Sequence, residues 1–134
     1  MIVVDSNVVA YYWINGPLTG IAQQVWLRDS QWHVPLLWRS EMRSILTGYL
    51  RDGTLNARQI ARVMAGAEAA FSRREHLVPS ERVFRIVGQT RLSAYDAEFV
   101  ALAEVLDVPL VTADKLVLKA FPDRALTMEG FVSR

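Results

Sequence analysis

The chain has 134 residues, no cysteine, 15 basic and 14 acidic side chains, and a formal net charge of +1 at pH 7. At 51% hydrophobic and 22% charged it reads as one globular domain, residues 1–134, and not as a disordered chain. So small a charge excludes nucleic-acid binding by bulk electrostatics, and the lack of cysteine excludes disulfides and thiolate metal sites.

Ile2–Val4 reads as a short buried strand, followed by helical text to Ile14. The opening MIVVDSN carries no charged leader, and its apolar run is too short for a signal peptide or membrane span. A soluble, cytoplasmic protein is therefore expected. Asn15-Gly16-Pro17 breaks the chain, and Pro17 suits the first turn of a helix reaching about Arg28. Trp32–Val34, before Pro35, reads as the second strand. Leu37–Leu50 is amphipathic, with Trp38, Met42, Ile45 and Tyr49 on one face, and Asp52-Gly53 ends it. Asn56 to Arg74 reads as an Ala-rich helix, and Leu77-Val78 with Pro79 as a weak strand or extended link. Two helices follow, Ser80–Thr90 and Ser93–Leu106. Pro109–Val111 reads as a strand, Ala113–Phe121 as a helix and Ala125–Met128 as a last short strand. This βαβ rhythm predicts an α/β fold with a mostly parallel central sheet flanked by helices.

Four acids then stand out: Asp5 in IVVDSN, Glu41 in LWRSEMRSIL, Asp96 in LSAYDAEF and Asp114 in PLVTADKL. Asp5 and Asp114 follow strands, and ligands of open α/β sheets bind outside the carboxyl ends of strands. Each acid also has a plainer reading. Asp5 and Asp114 suit helix N-termini, and Ser93-Ala-Tyr-Asp96 resembles a capping box. Glu41 resists such a reading, because a mid-helix carboxylate beside an apolar face is costly without a partner. Two carboxylates about 5 Å apart repel by about 3 kcal/mol at an effective dielectric of ~20, so gathering four asks for a cation. A set of oxygen ligands with no cysteine suits Mg²⁺ or Mn²⁺, and the expected chemistry is metal-assisted attack of water on a phosphodiester. Asp5 and Asp96 are expected to contact the metal directly, and Asp114 and Glu41 through water or at a second position.

Together, Asp5-Ser-Asn7, Glu41, Ser93-Ala-Tyr-Asp96-Ala and Val111-Thr-Ala-Asp114 resemble the PIN domain, and within it the VapC toxins of toxin–antitoxin pairs. The similarity runs from position 5 to the closing ALTMEGFV, with LSAYDAEFVALAEVLDVPLVTAD as its most specific part. The resemblance implies a PIN-like three-layer sandwich, a metal-dependent endoribonuclease and a homodimer. It also implies inhibition by a small antitoxin whose C-terminal segment wraps the toxin. The family's acids fall on Asp5, Glu41, Asp96 and Asp114, and its polar helpers on Asn7 and Thr112. A housekeeping PIN nuclease of RNA processing and a catalytically silent RNA-binding scaffold are the alternatives.

Other residues divide between two readings. Arg39, Arg43 and Lys115 lie close to the acids in sequence and are candidate contacts for RNA phosphates, or else solvated helix faces. The four tryptophans read as core or interface. His33 and His76 read as isolated, and Glu98, two helical positions from Asp96, as a solvated residue on the opposite side.

Overall fold

The structure is a computed structural model describing residues 1–134. Its five strands pair in parallel throughout, in the order β3-β2-β1-β4-β5. They are β1 (Ile2–Val4), β2 (Trp32–Pro35), β3 (Glu75–His76), β4 (Leu110–Val111) and β5 (Ala125–Leu126). Helices α1 (Ser6–Trp13) and α2 (Thr19–Arg28) join β1 to β2, and α3 (Trp38–Arg51) and α4 (Ala57–Ala70) join β2 to β3. Next come α5 (Ser80–Gln89) and α6 (Ala94–Leu106) between β3 and β4, α7 (Lys115–Ala120) between β4 and β5, and a closing α8 (Met128–Val132).

Side chains alternate across a strand, so each sheet face gathers its own core. Ile2, Val4, Trp32 and Val34 pack with helices α1–α4 and α8, whereas Val3, Leu110 and Ala125 pack with α5, α6 and α7. The result is three layers. On α3 the spacing of Trp38, Met42 and Leu46 sets the buried stripe, with Ile45 and Tyr49 half-buried at its margin. Gly53, at φ 82°, then turns the chain out of α3 in a conformation that favours glycine. Trp13, Trp26 and Trp32 interlock with Tyr12 at centroid distances of 4.4 to 6.1 Å. All four tryptophans pack in or against the core.

Three elements depart from the sequence expectation. The third strand lies at Glu75–His76, and Leu77 is 84% exposed. Polar partners decide this: Glu75 binds Arg39 and the Trp38 indole, and His76 binds His33. The preceding helix stops at Ala70, and Arg73 at φ 68° redirects the chain. The last strand is cut to two residues because the Thr127 hydroxyl accepts the Gly130 amide at 2.9 Å and starts α8, a helix that the sequence pattern does not announce.

His33 and His76 are therefore not isolated. Nδ1 of His33 lies 2.8 Å from Nε2 of His76 across the β2–β3 edge. Burial lowers both pKa values below the ordinary one, and for His33 the neighbouring His76, Arg74 and N-terminal ammonium add to the effect. An unfolded chain takes up these protons near pH 6.5, the folded chain only below it, so acid favours unfolding through that window. The melting temperature is expected to fall as pH drops below about 6.5, and His76→Gln to flatten that part of the curve. Melts of both proteins from pH 5 to 8 check this; an unchanged slope would remove the pair as its source.

Candidate active site

Chain order reverses between β1 and β4: from β1 the strands advance to β2 and β3 on one side, while β4 and β5 lie on the other. Such a point opens a crevice at the carboxyl ends of its two strands. The pairing of Val4 with Val111 sets Asp5 beside Thr112 there. A cleft of about 260 Å³ occupies this position, and Asp5, Glu41, Asp96 and Asp114 all line it.

Local rules position each acid. Asp5 caps α1, with Oδ1 accepting the Val8 amide at 2.9 Å. Its Oδ2 accepts the Ala113 amide at 3.0 Å and the Thr112 hydroxyl. Thr112 is 1% exposed, and its oxygen also accepts the Asp114 amide at 3.0 Å. Asp114 caps α7 through Oδ1, which accepts the amides of Leu116 and Val117 at 2.8 and 3.1 Å. Asp96 stands in the first turn of α6, where Ser93 accepts its amide at 3.0 Å. Capping and convergence are thus one arrangement: Asp5 and Asp114 reach the crevice as caps of their helices, and Asp96 in a first turn capped by Ser93.

Glu41 differs from expectation. The helix begins at Trp38, so Glu41 lies in its first turn and not mid-helix, and it has a partner. The Ser6 hydroxyl donates to its Oε1 at 2.7 Å. Ser6, 5% exposed, and Ser44 both line the cleft, and neither stands out in the sequence. Only the packing of α1 against α3 brings Ser6 to Glu41, and that contact leaves no local signature. Asn7 lines the cleft, exposed, without a hydrogen bond to the acids, while Thr112 holds two of them.

The electrostatics show what assembling the cleft costs. Burial raises the pKa of Asp5 against the lowering effect of its three hydrogen bonds, and Asp114 adds to the rise. Burial likewise raises Glu41, opposed by Ser6 and reinforced by Asp96, Asp5 and Glu98. Asp96 is raised by burial and then by Asp114. Glu98 is half-buried rather than solvated, with burial raising its pKa, and it does not line the acid cleft. No three of these carboxylates are already closed around a single point at metal-binding distance. The donor chemistry nevertheless fits a hard divalent cation, since the ligands are all oxygens in a cleft whose acids repel one another.

Arg43 and Lys115 are exposed and outside the cleft lining. The Arg39 guanidinium is engaged elsewhere. Its Nε and Nη2 lie 2.6 and 2.8 Å from the Glu75 carboxylate, and Nη1 binds Glu68.

A family model described as PIN domain matches residues 2–121. The chain is 36% identical over 115 residues to VapC ribonuclease Mb0985 of Mycobacterium bovis and to ribonuclease VapC9 of Mycobacterium tuberculosis. Each alignment covers 85% of this chain and 86% of the relative. Among solved structures, FitAcB from Neisseria gonorrhoeae superposes with a TM-score of 0.70 over 96% of this chain and 99% of that one. At 19% identity it speaks for the fold alone.

Arg39→Ala is expected to lower the melting temperature by freeing Glu75 at the sheet edge, with RNA turnover per folded molecule unchanged. A fall in turnover without a change in stability would make Arg39 a substrate contact instead.

Proposed function

This chain belongs to the PIN domain family, and from that premise we propose that it is a VapC-type toxin, an endoribonuclease that hydrolyses RNA phosphodiesters with Mg²⁺ or Mn²⁺. The observation that carries the reading is the convergence of four carboxylates from separate elements in the crevice at the β1–β4 reversal. Without a cation that gathering has only costs. A bound divalent ion supplies positive charge at the scissile phosphate and acidifies water for in-line attack.

The chain's own residues do the rest. Asp5, held by three donors, and Asp114, held by two, present lone pairs whose directions are set before anything binds. Asp5 and Asp96 are the direct ligands in this scheme, with Asp114 and Glu41 completing the shell. Glu41 uses Oε1 for Ser6, which leaves Oε2 to take a proton from the attacking water. Thr112 ties Asp5 to Asp114 and keeps the two in register. Arg43 and Lys115, exposed and close to Glu41 and Asp114 in sequence, are the proposed contacts for RNA phosphates.

The partners proposed are a small antitoxin and a second copy of the chain. A second cleft of about 680 Å³ supports the first. It shares Asn7 and Ile45 with the acid cleft and is walled by Tyr11, Trp13, Leu18, Tyr49 and Leu55. No acid lines it, so an apolar peptide segment lying there would end beside the carboxylates and obstruct RNA. No helix is long and apolar enough to cross a membrane, in keeping with action in the cytoplasm.

Purified protein is expected to cleave RNA with Mg²⁺ or Mn²⁺ and to stop on chelation with EDTA. Asp96→Asn is the cleanest variant, because Asp5→Asn would also disturb hydrogen bonds from Val8, Thr112 and Ala113. It should cut turnover by more than ~100-fold and raise the melting temperature of the metal-free protein by relieving repulsion. Wild-type gene expressed without antitoxin should arrest growth, and the variant gene should not. Full activity after thorough chelation would sink the metal mechanism.

A further inference from the structure

We infer that Ser6 is the positioning residue for Glu41: its buried hydroxyl sets the direction of that carboxylate and, through it, the closure of the acid cleft around a divalent cation. This rests on reading the cleft as a metal-dependent nuclease site.

The four acids are not equally constrained. Asp5 and Asp114 have short side chains pinned by backbone amides at helix N-termini, and Asp96 has a short side chain in the first turn of α6. Glu41 has one more rotatable bond than any of them, and its one hydrogen-bond partner is Ser6. The Ser6 hydroxyl, 2.7 Å from Oε1, is the contact that fixes the direction of this longer, freer side chain.

Ser6 is equally committed to this contact. It opens α1 directly after Asp5 at 5% exposure, and the residue four back, Ile2, is in a strand. The back-bond to a helical carbonyl open to a serine deeper in a helix is therefore absent here. A buried hydroxyl needs a partner, and Glu41 is the one it has. Two consecutive residues of the β1–α1 junction accordingly govern two acids: Asp5 by being one, Ser6 by holding the other from α3. Any shift of α1 against α3 moves both together.

Three variants, Ser6→Ala, Ser6→Thr and Ser6→Cys, test this with two readouts: Mn²⁺ affinity of the protein alone by electron paramagnetic resonance, and kcat and KM on RNA. Ser6→Ala is expected to weaken Mn²⁺ binding and lower kcat by ~10–100-fold each, with KM little changed. Ser6→Thr keeps the hydroxyl and should restore both to within about threefold, while the weak thiol donor of Ser6→Cys should fall between. In a Glu41→Ala background, Ser6→Ala should cost nothing more, whereas a purely structural role would give additive losses. Wild-type Mn²⁺ affinity and kcat in Ser6→Ala, or additivity with Glu41→Ala, would overturn the inference. If Asp96→Asn cleaves RNA as wild type does, the nuclease reading falls instead, and the Mn²⁺ affinities of the serine variants still decide whether Ser6 acts through Glu41.

Discussion

The parallel pairing of β1 with β4 is the constraint on which the site depends. It places Asp5 beside Thr112 in register, and the Thr112 oxygen then joins Asp5 on one side to the Asp114 amide on the other. A threonine at 1% exposure has no water to turn to, so this link is enforced by burial as well as by hydrogen bonding. The same pairing divides the strand order, and the division opens the crevice. Fold and site share a cause: the two central strands meet, and each leads into an aspartate that caps the next helix.

Around that junction the molecule gives up stability to hold charge. Burial raises the pKa of Asp5, Glu41 and Asp96, and neighbouring acids raise each further. What opposes the cost is local and simple to encode: helix N-termini, backbone amides and the hydroxyls of Ser6, Ser93 and Thr112. Far from the crevice the charges are treated differently. Arg39 bridges Glu68 and Glu75, with the Trp38 indole as a further donor to Glu75, and β3 is held to the sheet. Opposite charges stabilise that edge, whereas like charges gather in the crevice.

The two clefts adjoin one another. They meet at Asn7 and Ile45, so Asn7, which makes no hydrogen bond to the acids, stands at the passage between the carboxylates and the apolar groove. Tyr11 lies on the groove wall, and its pKa is raised by burial and then by the charge of Asp5. The groove and the acid cleft therefore adjoin along α1, the helix whose first residues are also the site's.

Local rules carried much of this into the sequence. Short apolar runs marked β1, β2 and β4 as strands, and capping patterns made Asp5, Asp96 and Asp114 legible as acids at element starts, with Ser93 capping the helix that carries Asp96. Glu41 stood out as a carboxylate beside an apolar helix face, and resemblance to a known family supplied Thr112. The tertiary structure alone decided what depends on contacts between distant residues. Ser6 meets Glu41 across 35 positions, His33 meets His76 across 43, and Arg39 is drawn to Glu75 across 36. Strand β3 escaped for the same reason, since polar partners elsewhere place it, whereas α8 starts at a local cap, the Thr127 hydroxyl accepting the Gly130 amide, inside a run that reads as a strand. Periodicity and capping act within a few residues and can be read along the chain, whereas the partner of a buried polar group is chosen by packing, which no local pattern encodes.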